Sequence, residues 1–188
     1  MGFSLPFKKS NMDLSLPLMS DNINRRDIDC LIEYLQQDPI PRLTNGPKVV
    51  EFEEKWSEWL GVKHSVFVNS GTAANELSML ALTHLYPDGG EIIVPPLTWI
   101  SDINSVLFAD FEPVFVDINT HNLSFDLDKL EESITDKTRA IFLTHVLGIN
   151  ALSDRLLKIC EDKDIKLIED VCESHGATFN NQKIGTLG

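Results

Sequence analysis

Apolar positions recur along this chain in two rhythms. Before residue 65 they fall at helical spacing. Ile28, Leu31, Ile32 and Leu35 form one stripe across residues 27–37. Val49, Phe52, Trp56 and Leu60 form a second, closed by Gly61. Between them Asp38-Pro-Ile-Pro41 stops the first helix, because proline disfavours a helical residue before it. The loop Leu43-Thr-Asn-Gly-Pro47 then leads into the second. Residues 1–24 carry little periodicity and read as an N-terminal arm preceding a domain over residues 25–188.

From Ser65 onward, short apolar runs alternate with amphipathic stretches. The pattern predicts strands at 65–69, 91–94, 113–117, 139–144 and 166–169, and helices at 72–85, 100–109, 127–134 and 153–163. Ile92-Ile-Val94, Val114-Phe-Val116 and Ala140-Ile-Phe-Leu143 are nearly continuous apolar runs, the mark of strands covered on both faces. The predicted fold is therefore α/β, a three-layer arrangement with a mostly parallel sheet between helices. Ligands are expected at the carboxyl ends of its strands. The closing Gly-Thr-Leu-Gly188, with no element after it, reads as a break inside a domain, so the chain is expected to be an incomplete large domain. Such a fragment should expose apolar surface and be poorly soluble.

Charge narrows the partners. The 188 residues carry 29 acidic against 16 basic side chains, a formal net charge of −13, which argues against a nucleic-acid surface. No apolar run approaches the roughly eighteen residues of a membrane span, and the first nine residues are too short for a signal-peptide core. Cys30, Cys160 and Cys172 are far apart and odd in number, so they read as reduced thiols of a cytoplasmic protein. The five histidines have no metal-ligand spacing: His64, His84 and His121 read as surface residues, His145 and His175 as structural ones.

Three features belong at strand ends of one sheet. Ser70-Gly71-Thr72 joins a predicted strand to a helix, and unpaired N–H groups at a helix start, together with the helix dipole, suit a phosphate. Trp99 follows the strand ending at Pro95 and presents a flat ring. Asp170 and Glu173 follow the last strand and present carboxylates. Together they suit a planar, phosphorylated nitrogen heterocycle: phosphate at Gly71 and Thr72, ring stacked on Trp99, ring N–H⁺ paired with Asp170.

The chain resembles the N-terminal part of the DegT/DnrJ/EryC1/StrS family, the pyridoxal 5′-phosphate (PLP) sugar aminotransferases of fold type I. The matching stretches run in order from about Pro17 to Gly188. They are Asn45-Gly-Pro-Lys-Val-Val-Glu-Phe-Glu53, Val68-Asn-Ser-Gly-Thr-Ala-Ala74, Glu91-Ile-Ile-Val-Pro95 with Thr98-Trp99, and Pro113-Val-Phe-Val-Asp117. Lys137-Thr-Arg-Ala-Ile141, His145-Val-Leu-Gly148, and Ile168-Glu-Asp170 with His175-Gly-Ala177 complete the set. The resemblance implies a fold-type-I large domain. It also implies PLP, with Gly71 and Thr72 on its phosphate, Trp99 on its ring and Asp170 on its ring nitrogen. Glu173 stands where aminotransferases commonly have Gln, near the phenolic oxygen.

The implied reaction moves an amino group from glutamate or glutamine to a nucleotide-linked keto-sugar, in polysaccharide or deoxyaminosugar biosynthesis. A homodimer is implied. The family's Schiff-base lysine falls in a Ser-Phe…Lys segment beyond Gly188, and Lys158, Lys163, Lys166 and Lys183 do not match it. The chain alone is therefore expected to be inactive. Two alternatives stand beside transfer: the family's sugar 3-dehydrase branch, suggested by Thr144-His-Val-Leu-Gly148 and Asp170-Val-Cys-Glu173, and a PLP-binding fragment without chemistry.

Overall fold

The computed structural model describes residues 22–188. It separates into two units, Met1–Pro47 and Lys48–Gly188. The expected N-terminal arm lies almost wholly outside the described residues. In the first unit, helix α1 (Arg25–Leu35) begins with a capping box, in which Asn24 accepts from the Arg26 N–H at 2.9 Å and Asp27 accepts from the Asn24 N–H at 2.8 Å. The predicted apolar stripe is present on this helix.

Helix α2 (Pro47–Leu60) starts at the boundary residue and lies otherwise in the second unit, which continues with α3 (Gly71–Leu85), β1 (Glu91–Val94), α4 (Ile100–Phe108) and β2 (Glu112–Phe115). Next come α5 (Leu127–Ser133), β3 (Thr138–Thr144), a single 3₁₀ turn at Val146–Gly148, α6 (Asp154–Lys163) and β4 (Lys166–Asp170). A two-residue-per-arm hairpin, β5 (Thr178–Phe179) and β6 (Gln182–Lys183), follows; the apolar pattern does not announce it. The four long strands form one parallel sheet in the order β2-β1-β3-β4. From β1 the chain steps outward to β2, crosses back to β3 and goes on to β4. The direction of winding therefore reverses between β1 and β3, the position where open parallel sheets bind ligands.

Side-chain alternation divides the core into two layers. Ile92 and Val94 of β1, with Ala140 and Phe142 of β3, pack against Met79 and Leu82 of α3 and Val106 of α4. Ile93, Ile141, Leu143 and Leu167 point the other way, onto Leu130 of α5 and Leu156, Ile159 and Cys160 of α6. Helices thus cover both faces, as the apolar runs of β1 and β3 predict. The run at 114–116 is different: β2 is an edge strand, and Phe115 is 55% exposed.

The predicted strand at 65–69 does not form. A strand needs a neighbour for its backbone groups, and this segment instead lies along α2. The Phe67 N–H donates to Glu53 Oε1 at 2.8 Å, Ser65 and Ser57 share a 2.8 Å hydroxyl bond, and the Phe67 ring meets Phe52 edge-on at 5.4 Å. Val66 and Phe67 stay largely exposed. Its composition is that of a strand, but among the described residues no partner strand meets it.

Candidate functional site

Ser70 is the N-cap of α3: its Oγ accepts from the Ala73 N–H at 3.1 Å, and its carbonyl accepts from the Ala74 N–H at 3.1 Å. That leaves the N–H groups of Gly71 and Thr72 without an intrahelical partner, at the positive end of a fifteen-residue helix. A Cβ built on Gly71 would meet nothing within 4 Å outside its own chain neighbours and helix backbone, and Gly71 and Thr72 both border an open cavity. Ser70→Ala should lower stability by about 1 kcal/mol, read as a lower melting temperature.

The β1 end leads through Leu97 and Thr98 to Trp99, the residue before α4. Its side chain makes no capping bond and the residue is 70% exposed. The β4 end carries Asp170, half-buried, whose Oδ1 accepts from the Cys172 N–H at 2.9 Å. Glu173 reaches across to the turn after β3 and accepts from the Leu147 N–H at 2.7 Å. Leu147 holds φ 55°, a left-handed conformation costly for a leucine. Beside it Gly148 has φ 76°, and a Cβ there would come within 2.9 Å of the Glu173 carbonyl. The Glu173 carboxylate thus anchors a strained turn against the site.

One cavity of about 750 Å³ is lined by all five sequence-predicted residues, Gly71, Thr72, Trp99, Asp170 and Glu173. Asn75, Thr98, Thr144 and His175 line it too. Its volume is that of an ordinary small-molecule site. Lys158, Lys163, Lys166 and Lys183 are not among its lining residues. Lys166 pairs with Asp164 at 3.0 Å, and Lys183 lies over the Trp59 ring at 4.7 Å.

The structure also builds a polar support that the sequence reading passes over. His145 is buried; its Nδ1 accepts from the Ala151 N–H at 3.1 Å, so its ring proton sits on Nε2, 3.2 Å from Glu169 Oε2. Glu169 further accepts from the Gly185 N–H at 2.9 Å on Oε2, and from Leu187 and Gly188 at 2.9 and 3.0 Å on Oε1. Burial raises the Glu169 pKa, but the His145 bond and the backbone N–H groups of Gly185 and Leu187 outweigh it, so the net shift is downward. His145 is structural, as expected, and His175 packs edge-on against Trp56 at 5.4 Å while also lining the cavity. Asn75 could have been found from the sequence, since it lies one turn beyond Gly71 on α3. Asp102 carries a weaker signal, as the acid in the first turn of α4.

A parallel sheet whose winding reverses at a cavity, with a capped helix start, an aromatic ring and strand-end acids on its walls, defines an open α/β protein with a ligand-sized cleft at the carboxyl ends of its strands. The chain belongs to the DegT/DnrJ/EryC1/StrS aminotransferase family, whose model matches residues 22–188. It is 35% identical over 179 residues to GDP-4-keto-6-deoxy-D-mannose 3-dehydratase of Yersinia pseudotuberculosis, covering 93% of this chain and 45% of that protein. It is 38% identical over 143 residues to GDP-perosamine synthase of Caulobacter vibrioides, covering 76% of this chain and 38% of that one. The solved E. coli GDP-4-keto-6-deoxy-D-mannose-3-dehydratase with bound hydrated PLP superimposes with a TM-score of 0.80 at 34% identity, over 88% of this chain and 43% of that chain. The family and fold class implied by the sequence are borne out. The chain spans less than half the length of these relatives.

Proposed function

We propose that this chain supplies the phosphate- and ring-holding half of a PLP enzyme that transfers an amino group from glutamate or glutamine to a nucleotide-linked keto-sugar. One observation carries the reading: the two open N–H groups at the start of α3, the Trp99 ring and the Asp170 carboxylate converge on one cavity. This donor set fits the cofactor's anionic phosphate, flat ring and cationic ring nitrogen. In such an enzyme the bound cofactor, its ring nitrogen protonated, serves as an electron sink for the substrate carbanion.

The chain's own residues then have separable tasks. Gly71 and Thr72 donate backbone hydrogen bonds to the phosphate. Trp99 covers one ring face. Asp170, oriented by the Cys172 N–H, keeps the proton on the ring nitrogen. Glu173 holds the 146–148 turn at the cavity wall. The similarity to a 3-dehydratase supports the dehydrase as a second reading, and both readings give this chain the same holding role.

We propose as partners a nucleotide-sugar, an amino-acid donor and a second copy of the chain. In keeping with the last, Ile100, Leu107 and Phe108 on α4 are each more than half exposed. The three free thiols are in keeping with a cytoplasmic setting.

The test is a titration with pyridoxamine 5′-phosphate, which has no aldehyde to react with surface lysines. Saturable binding that inorganic phosphate competes away, and that quenches the fluorescence of the chain but less so in Trp99→Phe, is the expected result. Binding that phosphate leaves untouched would remove Gly71 and Thr72 from the site, and no saturable binding would refute the reading.

A further inference from the structure

Behind Asp170 stands a second carboxyl group with no assigned role. Asp102, in the first turn of α4, is wholly buried. Its Oδ1 accepts from Asn75 Nδ2 of α3 at 2.7 Å. Its Oδ2 accepts from the hydroxyls of Thr98, after β1, and of Thr144, at the end of β3 and 3.1 Å away. Those two hydroxyls are themselves 2.6 Å apart. Three elements thus fix the Asp102 carboxyl, and on its remaining side lies Asp170, whose β4 position pairs in register with Thr144 and whose charge acts on it.

Two neighbouring carboxyl groups disfavour both being charged at once, so the buried one tends to keep its proton. Burial pushes the Asp102 carboxyl up to about 6, and the Asp170 charge pushes the same way, against the pull of the Thr98 and Thr144 hydroxyls. The thiol of Cys172, beyond β4, registers the same pool of negative charge: burial, then the Asp170 hydrogen bond, then the fields of Asp170, Glu173 and Asp102 push it up to about 12. The groups facing Asp102 from α3, the β1 end and the β3 end are uncharged (Asn75, Thr98, Thr144). From β4 and the residues after it come Asp170, Cys172 and, more distantly, Glu173.

We propose that Asp102 is a positioning residue for the ring-nitrogen site, forming with Asp170 a carboxyl pair that in mildly acid solution keeps one proton while the cavity is free and releases it to solvent when a cationic ring nitrogen docks on Asp170. This rests on the cofactor reading above. The docked cation makes it favourable for both carboxyls to ionise, so the buried acid adds a second negative charge behind the first. Neutralising the pair by protonation weakens that grip. Affinity for the ring therefore falls as pH drops through about 6 and levels off above it.

The experiment compares pyridoxamine 5′-phosphate affinity of the wild-type chain, Asp102→Asn and Asp170→Asn across this pH range. The ligand's own phosphate ionisation is common to all three chains and cancels in the comparison. Wild-type affinity should gain about tenfold more than that of Asp102→Asn as pH rises through the window. In the ligand-free chain, the Asp102 carboxyl-carbon resonance should titrate near 6, and Asp170→Asn should move its midpoint down, because a neighbouring negative charge is gone.

Folding has its own control. A carboxyl raised in the folded state lends stability that is fully present below its ordinary 3.8 and lost as pH rises through about 6. Asp102→Asn should abolish that loss, leaving the variant folded where binding is measured. If Asp102→Asn keeps the wild-type pH dependence of affinity, or if the Asp102 midpoint ignores Asp170→Asn, the role of Asp102 fails while the cofactor reading stands. A wild-type chain that binds no pyridoxamine 5′-phosphate at any pH overturns the cofactor reading, and the role of Asp102 with it.

Discussion

Asp170→Asn is expected to weaken pyridoxamine 5′-phosphate binding by about one to two orders of magnitude near pH 8. The amide keeps the shape of the carboxylate, and its oxygen can still accept the Cys172 N–H that now bonds Oδ1 at 2.9 Å. What it loses is the charge facing the ring nitrogen. A hydrogen bond to a charged group contributes about 1.5–3 kcal/mol, and each 1.4 kcal/mol is about tenfold in affinity. The fold should not suffer, since the substitution also removes the negative neighbour that pushes Asp102 upward. A fluorescence titration measures the affinity and a thermal melt checks the fold. Unchanged affinity in a folded variant would separate Asp170 from the ring nitrogen.

Glu169→Ala should be the more damaging change for stability, costing about 3–5 kcal/mol. Removing the shared acceptor leaves several donors without a partner at once, each at about 1–3 kcal/mol where it is buried. Here the orphans are the His145 ring N–H and the backbone N–H groups of Gly185, Leu187 and Gly188. His145 cannot rescue itself by moving its proton, because Nδ1 already accepts from Ala151. Glu169→Gln should help only partly: one amide oxygen can face Leu187 and Gly188, but the NH₂ then meets the donors of Gly185 and His145. Urea unfolding measures both, with a total stability of about 5–15 kcal/mol as the scale. A midpoint unmoved by the alanine would mean that the 185–188 segment does not depend on this carboxylate.

The pH sign for Glu169 is opposite to that for Asp102. With its pKa held below the ordinary 4.5, Glu169 contributes stability that is present above that value and lost as pH falls through the folded one. An acid melt should therefore show Glu169→Gln and the wild type converging as pH drops.

Much of this protein is legible in its sequence, and the reason is local. The Ser70 cap and the open N–H groups after it are consequences of residues 70–74 alone. The runs at 92–94 and 140–143 announce a sheet covered on both faces because each strand carries the apolar side chains for both. The ordered stretches from Asn45 to Ala177 were enough for the family. Where only composition was available, the reading misjudged: Val66 and Phe67 are as strand-like as Ile92 and Ile93, yet pairing depends on a neighbour that composition does not contain. Val114-Phe-Val116 likewise looks like an interior strand and forms an edge, since sheet order is a property of crossovers rather than of the run itself.

The polar support of the site was decided by the tertiary structure alone. Asp102 meets Asp170 across 68 positions of sequence, and Glu169 closes on residues 185–188 through a hairpin that no periodicity marks. A buried carboxyl is defined by what surrounds it, and those surroundings come from four separate segments of the chain. Sequence could name the acids at the strand end; only the folded chain shows which of them faces the cavity, which stands behind it, and which ties down the backbone.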